Sequence, residues 1–242
     1  RSNKNYVEKR YVFFSFQFRF KNYSADAAFT FTDSAITATG ESSGYEIDGT
    51  HLTIEASGTY LLSGECSDNG SAENAVIKCK DGSQVTICGT GTLNITANGK
   101  NGIKSGATTD KEGEASLIIK ELTLNISAPV NDAINAQQLL SIESGTLSIA
   151  AGDDAVHSDL VLNIGSEGTE GPTISIAECC EGLEASELNV LSGDITILSS
   201  DDCMNAANSD LGNYDFVINI SGGTQPGARP GGNMGDMQPP SG

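Results

Sequence analysis

Six copies of one short pattern recur along this chain, and their spacing dictates a stacked architecture. The copies are Asn74-Ala75-Val76-Ile77, Asn101-Gly102-Ile103-Lys104, Asp132-Ala133-Ile134-Asn135, Asp154-Ala155-Val156-His157, Glu181-Gly182-Leu183-Glu184 and Asp202-Cys203-Met204-Asn205. Each starts with Asn or an acid, continues with a small and then an apolar residue, and in five of the six ends on a polar or charged one. The intervals are 27, 31, 22, 27 and 21 residues. A recurrence of that length marks repeats that bury their apolar faces by stacking on one another.

The residues between copies alternate with period two, as a strand requires. Segments 84–87, 92–95, 122–126, 146–149, 160–164, 173–176, 194–197 and 217–220 put Leu, Ile or Val on one side and mostly Asn, Ser or Thr on the other. Gly punctuates them, and no segment carries a helical period of useful length. Three strands and three turns fit one coil, so the expected fold is all-β, a right-handed parallel β-helix with coils of about 21–31 residues. A leucine-rich repeat has a similar period, but its L-x-x-L-x-L-x-x-N consensus is not kept.

The β-helix is expected over 25–222, with lead-in strands at 27–32, 35–39 and 52–62 and the repeat proper from about 72. The longer intervals carry loops at 106–114 and 165–171. Residues 1–24 form a separate aromatic segment in which Val12, Phe14, Phe16, Phe18 and Phe20 alternate with other residues. It reads as a strand capping the open end, a strand donated to another subunit, or a leftover of targeting. Residues 223–242, rich in Gly, Pro and Met, read as a flexible tail.

A net charge of -19 argues against nucleic acid or anionic lipid as partners, because both need Lys and Arg. No apolar run is long enough for membrane insertion. With neither a starting Met nor an ordinary signal peptide, the expectation is a mature or trimmed chain. The six Cys show no C-x-x-C zinc spacing and read mostly as small buried thiols.

Stacking gives the charge a geometry. Asp132, Asp154, Glu181 and Asp202 fall in one column about 4.8 Å apart from coil to coil. Asn131, Asp153 and Asp201 form a second column beside it, interrupted by Cys180. Carboxylates at that spacing repel by about 3 kcal/mol at an effective dielectric of ~20. Outward splay, raised pKa values or a bound cation would relieve this. Calcium, which takes six to eight oxygens, is one answer; Asp and Asn simply serving turns is the other. Lys104, Asn135, His157, Glu184 and Asn205 form a further column, read as a polar face for a ligand. His157 as a catalytic base is the less favoured alternative. A flat Thr array is not expected, because Thr-x-Thr does not repeat at one position.

Asn101-Gly102-Ile103-Lys104-Ser105, Asp153-Asp154-Ala155-Val156-His157-Ser158, Glu181-Gly182-Leu183-Glu184-Ala185 and Asp201-Asp202-Cys203-Met204-Asn205-Ala206 resemble, in order, the coils of a bacterial family of secreted carbohydrate-binding β-helix proteins. The resemblance spans roughly 30–222. It implies a pectate-lyase-like fold, bound Ca2+ and affinity for cellulose or uronic-acid polymers, without established catalysis. The calcium ligands it implies lie among Asp132, Asp153, Asp154, Glu181, Asp201 and Asp202. The stretch between Glu65 and Asn74 is short for that family, and the aromatic start is foreign to it.

The resulting expectation is a non-catalytic, calcium-dependent polysaccharide-binding module, extracellular or on the cell surface. One alternative is a structural protein self-associating through coil ends and a donated strand. Another is a pectate-lyase-like enzyme, disfavoured because Arg occurs only at positions 1, 10, 19 and 229, outside the repeat.

Overall fold

The computed structural model describes residues 75–106, 115–212 and 214–222, the strand segments between Phe18 and Gly64, and Ala56. The described chain is all-β, and every strand pairing in it is parallel.

The strands come in threes. The first repeat comprises β1 (Phe18–Lys21), β2 (Ala27–Thr30) and β3 (Ala35–Ala38); the second, β4 (Tyr45–Asp48), β5 (Leu52–Glu55) and β6 (Thr59–Gly64). The third has β7 (Ala75–Cys79), β8 (Gln84–Cys88) and β9 (Thr92–Ala97), and the fourth β10 (Asn101–Ser105), β11 (Ser116–Ile119) and β12 (Thr123–Ala128). The fifth has β13 (Ile134–Ala136), β14 (Leu139–Ile142) and β15 (Thr146–Ala151). In the sixth and seventh, one long strand replaces the first two: β16 (Val156–Ile164) with β17 (Thr173–Glu178), then β18 (Leu183–Val190) with β19 (Asp194–Ile197). β20 (Met204–Asn205) and β21 (Val217–Ile220) follow.

Each strand pairs with its equivalent in the next repeat, producing three columns. The shortest step is 21 positions, Leu183 to Met204, and the longest 33, Thr59 to Thr92. Because β16 and β18 run through the first and second columns without a break, these merge into one sheet of 14 strands that doubles back at β16. The third column is a separate sheet of seven strands, from β3 to β19.

Several expectations are corrected by this register. The strands between 18 and 64 pair with the repeats that follow, β1 with β4 and β4 with β7, so parallel pairing extends to Phe18. The 1–24 segment therefore contributes a strand to the stack; residues 1–17, the tail 223–242, the stretch 65–74 and most of the 106–114 loop lie outside the described residues. β4, β11 and β14 were absent from the alternating segments read from sequence. The first motif copy is displaced by one residue, since Ala75, not Asn74, stands opposite Asn101, and Lys78 opposite Lys104. The other five copies stack as aligned.

Alternation places every second residue inside. Ile77, Ile103, Ile134, Val156 and Leu183 are fully buried in the first column, Leu117, Leu140, Leu162 and Leu188 in the second, and Leu93, Leu124 and Leu147 in the third. Burying each such side chain contributes roughly 1.5–3 kcal/mol. Among the described residues, the buried core contains aliphatic residues, Ala and Cys but no aromatic ring. At turns into the third column, Gly takes a left-handed conformation, as at Gly145 (φ 101), where a Cβ would lie 2.5 Å from the Leu122 carbonyl oxygen. The 165–171 loop is fastened by Ser192, whose Oγ donates to the Ser166 carbonyl (3.0 Å) and accepts from the Ser166 N–H (3.1 Å).

Candidate functional site

The motif turns one corner of each repeat. In Asp132-Ala133-Ile134-Asn135, the acid ends the turn, Ala133 and Ile134 are buried, and Asn135 begins the outer face of β13. The second residue must be small because its side chain meets the neighbouring repeat. A Cβ on Gly102 would lie 2.6 Å from the Ala133 carbonyl oxygen and 2.7 Å from Ile126 Cγ2.

Backbone hydrogen bonds set the acids in line. The N–H groups of Ala133, Ala155 and Gly182 donate to the carbonyls of Asp154 (3.0 Å), Glu181 (2.9 Å) and Asp202 (2.9 Å). Asp132, Asp154, Glu181 and Asp202 thus occupy equivalent positions in four successive repeats. Beside them, Cys180 N–H donates to Asp153 (2.8 Å) and Asp201 N–H to Cys180 (3.0 Å), giving the second column with its Cys180 gap. Asp132 is buried, Asp154 and Glu181 are half-buried, and Asp153, Asp201 and Asp202 are exposed.

The column running Lys104, Asn135, His157, Glu184 and Asn205 is also in register. It interlocks with the acids. Lys104 Nζ donates to Asn135 Oδ1 (2.7 Å), and Asn135 Nδ2 donates to Asp132 Oδ2 (2.5 Å). His157 bridges two carboxylates, with Nδ1 3.1 Å from Asp154 Oδ2 and Nε2 2.9 Å from Asp159 Oδ1; Glu184 Oε1 lies 3.7 Å from Nδ1. Asn205 Nδ2 is shared between Glu181 Oε2 (3.2 Å) and Glu184 Oε2 (3.4 Å).

The electrostatics follow. Burial would lower the His157 pKa, but the hydrogen bonds to Asp154 and Asp159, with the nearby Asp132 charge, outweigh it and raise the pKa to about 10. His157 is therefore an imidazolium at neutral pH. Asp132 is pushed up to about 6 by burial, opposed by its Asn135 hydrogen bond. Asp153 is raised by burial and by Asp154; Glu181 by burial and by Asp154, Asp201 and Asp202.

Among the described residues, one group of three brings metal-ligating atoms within 4.8 Å of one another: Asp154, His157 and Glu184. It joins one carboxylate expected to bind metal to two residues expected to bind ligand. An imidazolium fills the place of a cation here, and calcium takes oxygen ligands, so this trio does not fit calcium. The exposed carboxylates Asp153, Asp201 and Asp202, with Glu181, supply the oxygen chemistry calcium requires, although the six carboxylates are not drawn into one cluster.

A second feature escaped the sequence reading. On the outer face of the third column, Thr92, Thr123, Thr146 and Thr173 share one position, and Thr59 pairs with Thr92. Thr-x-Thr indeed does not repeat, but a single Thr row does. The next outward row is Asn94, Asn125, Ser148 and Ser175. Beyond it, Thr96 and Ser127 give way to Ala150, and the register slips between Ile149 and Ala150. Ala150 and Ala177 leave a shallow trough of about 360 Å³ along these rows. The signal was present in the recurring Thr-Leu-Asn-Ile, but its rows emerge only when 23-, 27- and 31-residue steps are aligned together.

Residues 67–163 match the family model described as carbohydrate-binding domain-containing protein. This similarity covers β7 to β15 and most of β16, and supports a carbohydrate-binding family. No curated protein matches the chain, and no solved structure does.

Proposed function

We propose that this chain is a non-catalytic polysaccharide-binding module on a right-handed parallel β-helix, working outside the cell or at its surface. The observation that carries this reading is the carbohydrate-binding family match over residues 67–163. The site chemistry supports the non-catalytic part. Asp154 and Asp159 hold His157 as an ion-paired imidazolium, with a pKa raised to about 10, which disfavours it as a general base near neutrality. Lys104 is buried and donates to Asn135.

Calcium enters this reading at the exposed acid edge, through Asp153, Glu181, Asp201 and Asp202, where carboxylate oxygens of neighbouring repeats repel one another. A cation there would let an acidic protein hold a uronic-acid polymer, while cellulose needs no such bridge. Retention on immobilised cellulose and polygalacturonate, each with calcium and with EGTA, tests both parts. Retention on neither polymer would remove the function, and retention indifferent to EGTA would remove the calcium dependence.

A second reading, self-association through the stack's end, is favoured by the exposed Phe216, Val217, Ile218 and Ile220 at β21. A monomeric mass in solution at high concentration would remove it.

A further inference from the structure

The polar column on the first sheet is a poor place for a sugar: Lys104 and Asn135 are buried, and its side chains already pair with one another or with the acids. We propose instead that the trough on the outer face of the third column, between the Asn94–Ser175 and Thr96–Ala150 rows, is a docking surface for an uncharged, hydroxyl-rich polysaccharide chain. The proposal rests on the saccharide-binding reading and gives it a place and a ligand class.

Three observations carry it. The first is chemical. The trough is lined by Asn94, Thr96, Asn125, Ser127, Ser148 and Ser175, whose amides and hydroxyls both donate and accept, as sugar hydroxyls do. The second is electrostatic. In a chain of net charge -19, β9, β12 and β15 carry no charged residue, and β17 carries only Glu178, at its end. A neutral polymer lying here displaces water without desolvating a charge. An anionic polymer would meet the field of the rest of the chain.

The third is rigidity. The rows stand on paired strands, Asn125 Nδ2 donates to Asn94 Oδ1 at 2.8 Å, and Thr is β-branched. Little side-chain freedom remains to be lost on binding. The volume lies at the lower end of small-molecule pockets. Its reach over four strands, about 14 Å at ~4.8 Å per strand, suits a short extended stretch of polymer. With no aromatic platform in the lining, contact is through hydrogen bonds.

Affinity electrophoresis in gels containing hydroxyethylcellulose, soluble xylan or polygalacturonate, each with EGTA or with calcium, tests this. The proteins are wild type, Ser127→Glu and Ser148→Glu in the trough, and Ser209→Glu in an exposed turn as a charge control. The wild type should be retarded by a neutral polymer in EGTA, with little salt dependence. Each trough variant should weaken that retardation at least tenfold at unchanged melting temperature, and Ser209→Glu should match the wild type. Wild-type retardation equalled by folded trough variants would overturn the face while sparing the saccharide reading. Retardation by polygalacturonate alone, and only with calcium, would likewise overturn it. A wild type retarded by none of the three polymers would overturn both.

Discussion

Replacing His157 by Gln should remove stability in a pH-dependent way. The imidazolium is held by Asp154 and Asp159 at 3.1 and 2.9 Å, with its side chain 19% exposed. Its pKa is about 10 in the folded chain against 6.5 for a free imidazole. A histidine shifted upward adds stability that is complete below the unfolded pKa and disappears as pH rises through the folded one. At about 1.4 kcal/mol per pH unit, the gap corresponds to about 5 kcal/mol below pH ~6.5 and about 4 kcal/mol at pH ~7, falling towards zero above pH ~10. Urea unfolding of wild type and His157→Gln, followed by circular dichroism in EGTA between pH 6.5 and 10.5, measures this directly. Cysteine and tyrosine ionisation is common to both proteins and cancels in the difference. The expected difference is several kcal/mol at the acid end, shrinking to about 1 kcal/mol or less at the alkaline end. A constant offset across the range would refute the reasoning, because it would mean that His157 matters through its shape and not its charge.

Leu124 is fully buried between equivalent leucines, so Leu124→Ala should cost about 2–5 kcal/mol, read as a lower urea midpoint at unchanged slope. Gly102→Ala would put a methyl 2.6 Å from the Ala133 carbonyl oxygen and should cost about 1–3 kcal/mol; a melting temperature equal to wild type would show that the corner yields. Calcium at about a hundred times its dissociation constant should add about 2.7 kcal/mol, seen as a rise in melting temperature that Asp201→Asn with Asp202→Asn abolishes. No rise in the wild type would exclude calcium from the acid edge.

The parts of this fold legible from sequence were those where one residue type recurs at one structural position. Asp132, Asp154, Glu181 and Asp202 announced their register because acid, small and apolar residues come together at a corner that tolerates little else. The first and second repeats lack that signature. Tyr45 pairs with Ile77 as Ile77 pairs with Ile103, yet no acid stands two residues before it, so the register before Ala75 was not legible. The same weakness displaced the first copy by one residue, since Asn74 offered a better letter than Ala75. The remedy for acid repulsion was legible only in part. Raised pKa values, one of three remedies considered, occur at Asp132, Asp153 and Glu181, mainly through burial, but a built-in cation was not among them, because His157 belonged to a different column. Residues three apart at a bend face one another only once the corner is drawn.

That corner distributes charge unevenly along the stack. In the fourth to sixth repeats Lys104 and His157 are cations within the ladder, and Asn135 carries the link to Asp132. From the corner before β18 onward, Glu181 and Glu184 share the neutral Asn205 amide, and Glu184 also lies 3.7 Å from His157 Nδ1, while Asp201 and Asp202 are exposed. Each unrelieved pair at the inter-repeat spacing costs about 3 kcal/mol at a dielectric of ~20, less where solvent screens the exposed Asp201 and Asp202. A cation added from outside therefore gains most at the C-terminal repeats and least beside His157. The neutral rows of the third column sit on another side of the same repeats. One repeat can thus present an acidic edge and an uncharged face, because the outward residues of each column vary independently of the aliphatic residues that hold the stack together.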